Sequence, residues 1–368
     1  MTTSHNDSMA GGGRVTGGPS TEHQEFVASV RALLTKHAGS AAVRAAMDTE
    51  LGYDETLWRL LCEQVGVAAL AIPEEYGGFG ASLIESLLVV TELGRTLAGV
   101  PMLGAAVLGA QAVLLSGDNE ACERLLPEVA EGSRTIAVCW AGTGGWDEPG
   151  VHSEDGTLSG TAHYVLDGLA ADTLVVVTSN GLFEVDSGAE GVTRRAVATM
   201  DPTRKLTEIT FAAVPARRLG SVDPALVVVR LHEIAWAAVA AEQVGAAQRC
   251  LELTVEYAKS RVQFGRPIGS FQALKHRMAD MYVLVESAKS ASYAATVAVA
   301  EHSPSAAEDV WVARTHCSEA FTTIVAEMVQ LHGGIAITWE HDAHLFFKRA
   351  HGDAQLFGQP RRPLTPTA

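Results

Sequence analysis

The stretch RVQFGRPIGSFQ, residues 261–272, breaks a helical pattern with residues that a turn does not need. Gly265, Pro267 and Gly269 would suffice for the turn. Arg261 adds a rigid fork of donors of the kind that matches paired phosphate oxygens. Read from the residues alone, the segment is an interhelix turn with Arg261 in solvent and Phe264 in the core. Glu242 is a second candidate. It stands in AAVAAEQVGAA, an apolar helical run where burial would raise its pKa and suit it to general-base work. A polar group at the end of a pocket, or an interhelix ion pair, fits it equally well. His332, His341, Asp342 and His344 have the spacing of no common metal site, and no metal is expected.

The rest of the chain must position these groups. Its 368 residues are more than one core usually holds. Hydrophobic residues make up 47 %, enough for large buried cores. The net charge of −16 argues against a nucleic-acid surface, which needs clustered Lys and Arg. Cys62, Cys122, Cys139, Cys250 and Cys317 are scattered, without redox or metal spacing, and read as buried thiols of a cytoplasmic protein. No basic stretch followed by an apolar one opens the chain, no apolar run is expected to span a bilayer, and no membrane partner is expected.

Apolar residues recur at three and four from residue 21 to 132, in EFVASVRALLTKHAG, ETLWRLLCEQVGVAAL, SLIESLLVVTELGRTLAG and AAVLGAQAVLLSG. The period then becomes two. TIAVCW, TLSGTAHYVLDG, TLVVVTSN, GLFEVD, VTRRAVATM and LTEITFAAVPARRLG predict short strands over 133–221, in a mostly antiparallel β domain. Helical periodicity returns over 222–357. Asp223 and Pro224 form an N-cap and N1 pair, and Gly333 and Gly334 close the last of three helices of 25 to 35 residues. Residues 1–20 and 358–368 are rich in Gly, Pro and small polar residues and read as tails. The fold class is α+β.

Three segments in order, IPEEYGGFG (72–80), YAKSRVQFGRPIGSFQALKHRMADM (257–281) and VQLHGG (329–334), lie around the β region. Together they resemble the acyl-CoA dehydrogenase family from about residue 22 to 357. The resemblance implies a helical domain, a β domain and a C-terminal four-helix bundle. It also implies FAD at a subunit interface, an acyl-CoA substrate and an electron-transfer flavoprotein as acceptor. Arg261, Gln263, Phe264, Phe271 and Gln272 would then meet the nucleotide end of a neighbour's FAD, with Arg261 on the pyrophosphate. Gln330, Gly333 and Gly334 would pass beneath its adenosine diphosphate. IPEEYGGFG would lie near the mouth of the substrate pocket. Lys348 and Arg349 read as surface or interface charges.

The departures from the family are selective. Where many members carry T-E-P-x-x-G-S-D, this chain has AVCWAGTGGWDEPG (137–150). Where a hydroxyl usually meets the flavin ring, HYVLDG (163–168) has Leu166. The two places at which the family keeps its glutamate base fall at about Gly358 and at Ala235. Only Glu242 is left as a weak catalytic candidate, two helical turns beyond Ala235. The VQLHGGIAITWEHDAHLFFKRA ending resembles the actinobacterial branch that includes α2β2 enzymes, several acting on CoA esters of steroid side chains. The expectation is therefore a β-like subunit that pairs with a homologous, base-carrying subunit. A self-sufficient homotetramer using Glu242, an oxygen-using relative and a scaffold subunit without chemistry are the alternatives.

Overall fold

The computed structural model describes residues 18–359. The tails read at 1–20 and 358–368 therefore lie outside the described residues, except for 18–20 and 358–359. The N-terminal part is built from helices α1 (Thr21–His37), α2 (Ser40–Met47), α3 (Glu55–Val65), α4 (Leu83–Thr96), α5 (Ala110–Leu115) and α6 (Asn119–Glu131). Local chemistry starts them. Ser20, Asp54 and Asp118 accept from backbone N–H groups of the first turns, and Ser82 with Glu85 forms a capping box at α4. Helices α2 and α6 have no counterpart in the periodicity reading. The first is only eight residues long, and the second carries Pro127 inside. IPEEYGGFG forms a short 3₁₀ turn over Glu74–Tyr76 that packs on α6.

Eight strands follow: β1 (Ile136–Cys139), β2 (Val151–Glu154), β3 (Thr157–Leu166), β4 (Thr173–Thr178), β5 (Gly181–Asp186), β6 (Val192–Val197), β7 (Leu206–Pro215) and β8 (Arg217–Leu219). They form two four-stranded sheets, in the orders β1-β4-β5-β8 and β2-β3-β7-β6. Every pairing is antiparallel except β1 with β4. Ala137, Leu174 and Phe183 of one sheet share a core with Leu158, Ile209 and Phe211 of the other. LTEITFAAVPARRLG is not one strand. Ala213 takes a left-handed φ of 53°, and the chain passes from one sheet to the other at Ala216. The sequence reading also omits β2, whose four residues alternate in burial only weakly.

The bundle comprises α7 (Pro224–Ser260), α8 (Gln272–Ala300), α9 (Ala306–His332) and α10 (Ala343–Gln355), with a two-residue hairpin of β9 (Val262–Gln263) and β10 (Arg266–Pro267) between α7 and α8. Asp223 caps α7 through the Ala225 N–H with Pro224 in the first turn, as the sequence predicts. Helix α7 exceeds the expected length at 37 residues. Helix α10 escapes the reading because 343–355 follows a stretch dense in His, Asp and Glu. Glycine lets α4 and α7 cross at contact distance: a Cβ on Gly245 would stand 1.8 Å from the Thr91 carbonyl oxygen. The membrane expectation needs correction. Helix α7, and α9 with its 3₁₀ extension, are long and apolar enough to cross a bilayer by length and composition. Their apolar surface instead packs α7 against α4, α8 and α9, and α9 against α8 and α10.

Candidate functional site

Two ends of the bundle meet where the sequence places its binding candidates. The Tyr257 ring near the end of α7 stacks on His332 at the end of α9, with centroids 4.4 Å apart. That contact brings the 261–272 segment beside Gly333 and Gly334. The hairpin turns through Phe264 and Gly265, both left-handed, with φ of 53° and 77°. Such turns favour Asn-Gly or Gly-Gly, so Phe264 is strained. It is also 91 % exposed, touching Phe271 edge-on at 6.1 Å. The expectation that a plain turn would bury Phe264 in the core is overturned. Arg266 lies over Phe271 at 4.1 Å. Arg261, Gln263, Gln272 and Gln330 are exposed, and their side chains bond to no other described residue. Gly333 adopts φ 66°, ψ −145°, and a Cβ on Gly333 or Gly334 would meet nothing within 4 Å. The backbone there is open to close approach by a ligand.

Glu242 lies elsewhere, in a sealed cluster of charges. Arg349 donates to Glu242 at 2.7 Å and to Asp201 at 2.6 Å. Arg204 donates to both Glu242 oxygens at 2.6 and 2.5 Å and to Asp353 at 2.5 Å. Thr203 bonds to both Asp201 and Arg349. Burial alone would raise the Glu242 carboxyl. The charges of Arg204 and then Arg349 overcome it and hold Glu242 below the usual carboxylate range. Of the alternatives for Glu242, this geometry matches the ion pair. Arg349 requires a correction: it is 2 % exposed and not a surface charge. Asp353 carries the remaining imbalance. Burial, then the Glu242 charge, pushes it up to about 7 against the pull of Arg204 and Arg349. Sequence reasoning missed Arg204, Asp201 and Asp353. Their partners lie 38 or more positions away, so no local period reveals them.

A cleft of about 880 Å³ opens between the β domain and the bundle. Trp146, Tyr164, Val197, His232, Trp236 and Phe357 are among its lining residues. Burial pushes the His232 imidazole down to about 4, so it is neutral. Two carboxylates line the cleft. Asp147 is on the exposed 143–149 loop, and Asp201 is held by Arg349 and Thr203. IPEEYGGFG does not line it.

FAD fits this chain unevenly. The bundle end offers an unpaired arginine, three unpaired glutamines and two open glycines to the phosphates and adenosine. The cleft holds aromatic rings where the family pattern places the groups that meet the flavin ring.

This order of helices, twin sheets and bundle, with an open hairpin at the bundle's end, defines a flavin-type dehydrogenase fold. Residues 20–133 match the N-terminal domain model of acyl-CoA dehydrogenases, and residues 232–359 match the C-terminal domain model. The chain belongs to the acyl-CoA dehydrogenase family, a family of oxidoreductases. It is 47 % identical to acyl-CoA dehydrogenase IpdE2 of Mycobacterium tuberculosis, over 94 % of this chain and 96 % of that protein. It is 32 % identical to acyl-CoA dehydrogenase FadE34 of the same organism, over 90 % of this chain but only 45 % of the relative. Among solved structures, the Mycobacterium tuberculosis ChsE4-ChsE5 complex superposes with a TM-score of 0.83 at 30 % identity, covering 91 % of this chain and 93 % of that one. A variant of the Tcur3481-Tcur3483 steroid ACAD superposes equally well, at 0.83 and 32 % identity, covering 92 % and 94 %.

Proposed function

We propose that this chain is the non-base-carrying subunit of an α2β2, FAD-dependent acyl-CoA dehydrogenase. The observation that carries this reading is the contrast within one chain. Residues suited to a dinucleotide's phosphates stand exposed and unbonded, while Glu242 is bound on two sides by arginines and Ala235 and Gly358 hold no carboxylate. When bound, FAD supplies the hydride acceptor for dehydrogenation between Cα and Cβ of the thioester. Arg261 holds two pyrophosphate oxygens of the FAD seated in the partner, Phe264 covers it, and Gly333 and Gly334 admit its adenosine. The base that takes the α-proton belongs to the partner. An electron-transfer flavoprotein takes the electrons onward.

Two comparisons support pairing with a homologue. The ChsE4-ChsE5 and Tcur3481-Tcur3483 structures each join two named chains. FadE34 devotes less than half of its length to the region that matches this chain, which leaves room for a second unit in one polypeptide. The steroid ACAD among the structural relatives points to CoA esters of steroid side chains as the substrate class.

The visible spectrum tests this reading. The chain purified alone should be colourless, and the complex with its homologous partner should be yellow, with one flavin per two chains. One flavin per chain in the lone protein would overturn it.

A further inference from the structure

The four places where this chain departs from its family lie far apart in sequence, and the fold gathers them into one aromatic seam. Trp140 and Trp146 come from the 137–150 stretch, Tyr164 from HYVLDG, His232 and Trp236 from either side of Ala235, and Phe357 from beside Gly358. Their rings touch in unbroken succession. Tyr164 meets Trp146 at 5.1 Å, and Trp146 meets Phe357 at 5.8 Å. Phe357 meets Trp140 at 5.7 Å, Trp140 stacks on His232 at 4.8 Å, and His232 stacks on Trp236 at 5.1 Å.

The seam is held in place at a conformational cost. Tyr164 and Phe357 both take left-handed φ, 55° and 60°, which non-glycine residues adopt only when their surroundings enforce it. Trp236 donates through Nε1 to the Phe357 carbonyl at 3.0 Å. The buried Arg314 guanidinium donates to the carbonyls of Asp353, Ala354 and Leu356, which fixes the segment that carries Phe357. A Cβ at Gly358 would stand 3.8 Å from the Trp146 ring, so the position that elsewhere in the family holds a carboxylate here faces an indole.

We infer that Trp146, Tyr164 and Phe357 form a plug that takes the place of a flat heterocycle in this chain's own cleft and so decides which subunit seats the flavin ring. The plug spans from the β domain to the end of the bundle, and the 880 Å³ cleft is the space left beside it. Stacked rings exclude a further ring from the same volume, because the interior is close-packed and a second aromatic cannot share it. The inference rests on the subunit reading above and assigns that reading's asymmetry to three side chains. Trp146 is the accessible handle. It is only partly buried and sits on a glycine-rich loop, so shortening it leaves the two cores untouched.

The test compares wild type, Trp146→Gly, Phe357→Ala and Trp146→Phe, each co-purified with the homologous partner and reconstituted with excess FAD. Flavin per chain is read from the visible spectrum, and folding from circular dichroism. The wild type and Trp146→Phe should hold one flavin per two chains. Trp146→Gly and Phe357→Ala should rise towards one per chain, a twofold gain, and the lone Trp146→Gly chain should quench added FAD fluorescence where the lone wild type does not. A folded pair of variants that stays at one flavin per two chains would overturn the plug and leave the subunit reading intact. A wild-type complex that already holds one flavin per chain would defeat the subunit reading itself. Loss of both small-residue variants to unfolding would make the seam part of the core and would overturn the plug as well.

Discussion

The end of the bundle and the charge cluster beside α7 both concentrate arginine and polar side chains, yet they are built on opposite terms. In the cluster, Arg204 and Arg349 are matched donor for acceptor by Glu242, Asp201, Asp353 and Thr203. At the bundle end, Arg261 and three glutamines have no partner within the chain, and the strained Phe264 stands in solvent. A buried charge left unpaired costs several kcal/mol, so evolution completes such networks or removes them. An exposed arginine has no such constraint and is free to serve a ligand. The difference separates residues that hold the fold from residues that face outward, and it does so where residue type alone does not.

The comparison breaks most severely at Arg349. Arg349→Ala leaves Glu242 and Asp201 buried with one partner fewer, which costs about 3–5 kcal/mol. Urea denaturation should show that loss, with little native protein left at 37 °C. Glu242→Gln comes next. The amide keeps its shape and one acceptor, so the loss is about 1–3 kcal/mol. Turnover per folded complex should stay at the wild-type value. A complex that folds normally and has lost turnover would restore Glu242 as the base.

The same cluster has a pH signature. Asp353 has a folded pKa of about 7 against an ordinary carboxylate value near 3.8. The native state therefore binds a proton there that the unfolded chain releases. This contribution to stability is fully present below pH 3.8 and is lost as pH rises to about 7. Arg204, Arg349, Glu242 and Asp201 surround the group, and the lowered pKa values of Glu242 and Asp201 act with the opposite sign. Subtracting the denaturation curves of Asp353→Asn from those of wild type isolates the Asp353 share. The difference should favour wild type most at the acid end and shrink towards pH 7.

What could be read from the sequence follows the range of the interactions. The helix starts at Asp223 and Ser82, the strand periods and the stop at Gly333 are set by neighbours within a few residues, and the chain spells them out. The hairpin's residues are legible because they stand together in RVQFGRPIGSFQ. The cluster is not, since Arg349 meets Asp201 across 148 positions and nothing near Arg349 distinguishes it from a surface arginine. The aromatic seam shows the same limit from the other side. Each departure reads as a loss when taken singly, and only the fold reveals that the replacements touch.

The smallest change in stability and the sharpest functional one are expected at the same place. Arg261→Ala removes an exposed side chain without an internal partner, so unfolding free energy should move by no more than about 0.5 kcal/mol. Charge-assisted hydrogen bonds to a phosphate contribute about 1.5–3 kcal/mol, and every 1.4 kcal/mol is tenfold in affinity. FAD binding to the complex should therefore weaken about 10- to 100-fold, read by titrating the flavin-free complex. Phe264→Ala should give a weaker form of the same result, with stability unchanged and a smaller loss of flavin affinity. Neither variant should change the far-UV spectrum. If Arg261→Ala instead destabilised the isolated chain as Arg349→Ala does, Arg261 would belong with the residues that hold the fold. The contrast between an outward-facing end and a self-satisfied interior would then fail at the residue on which it most depends.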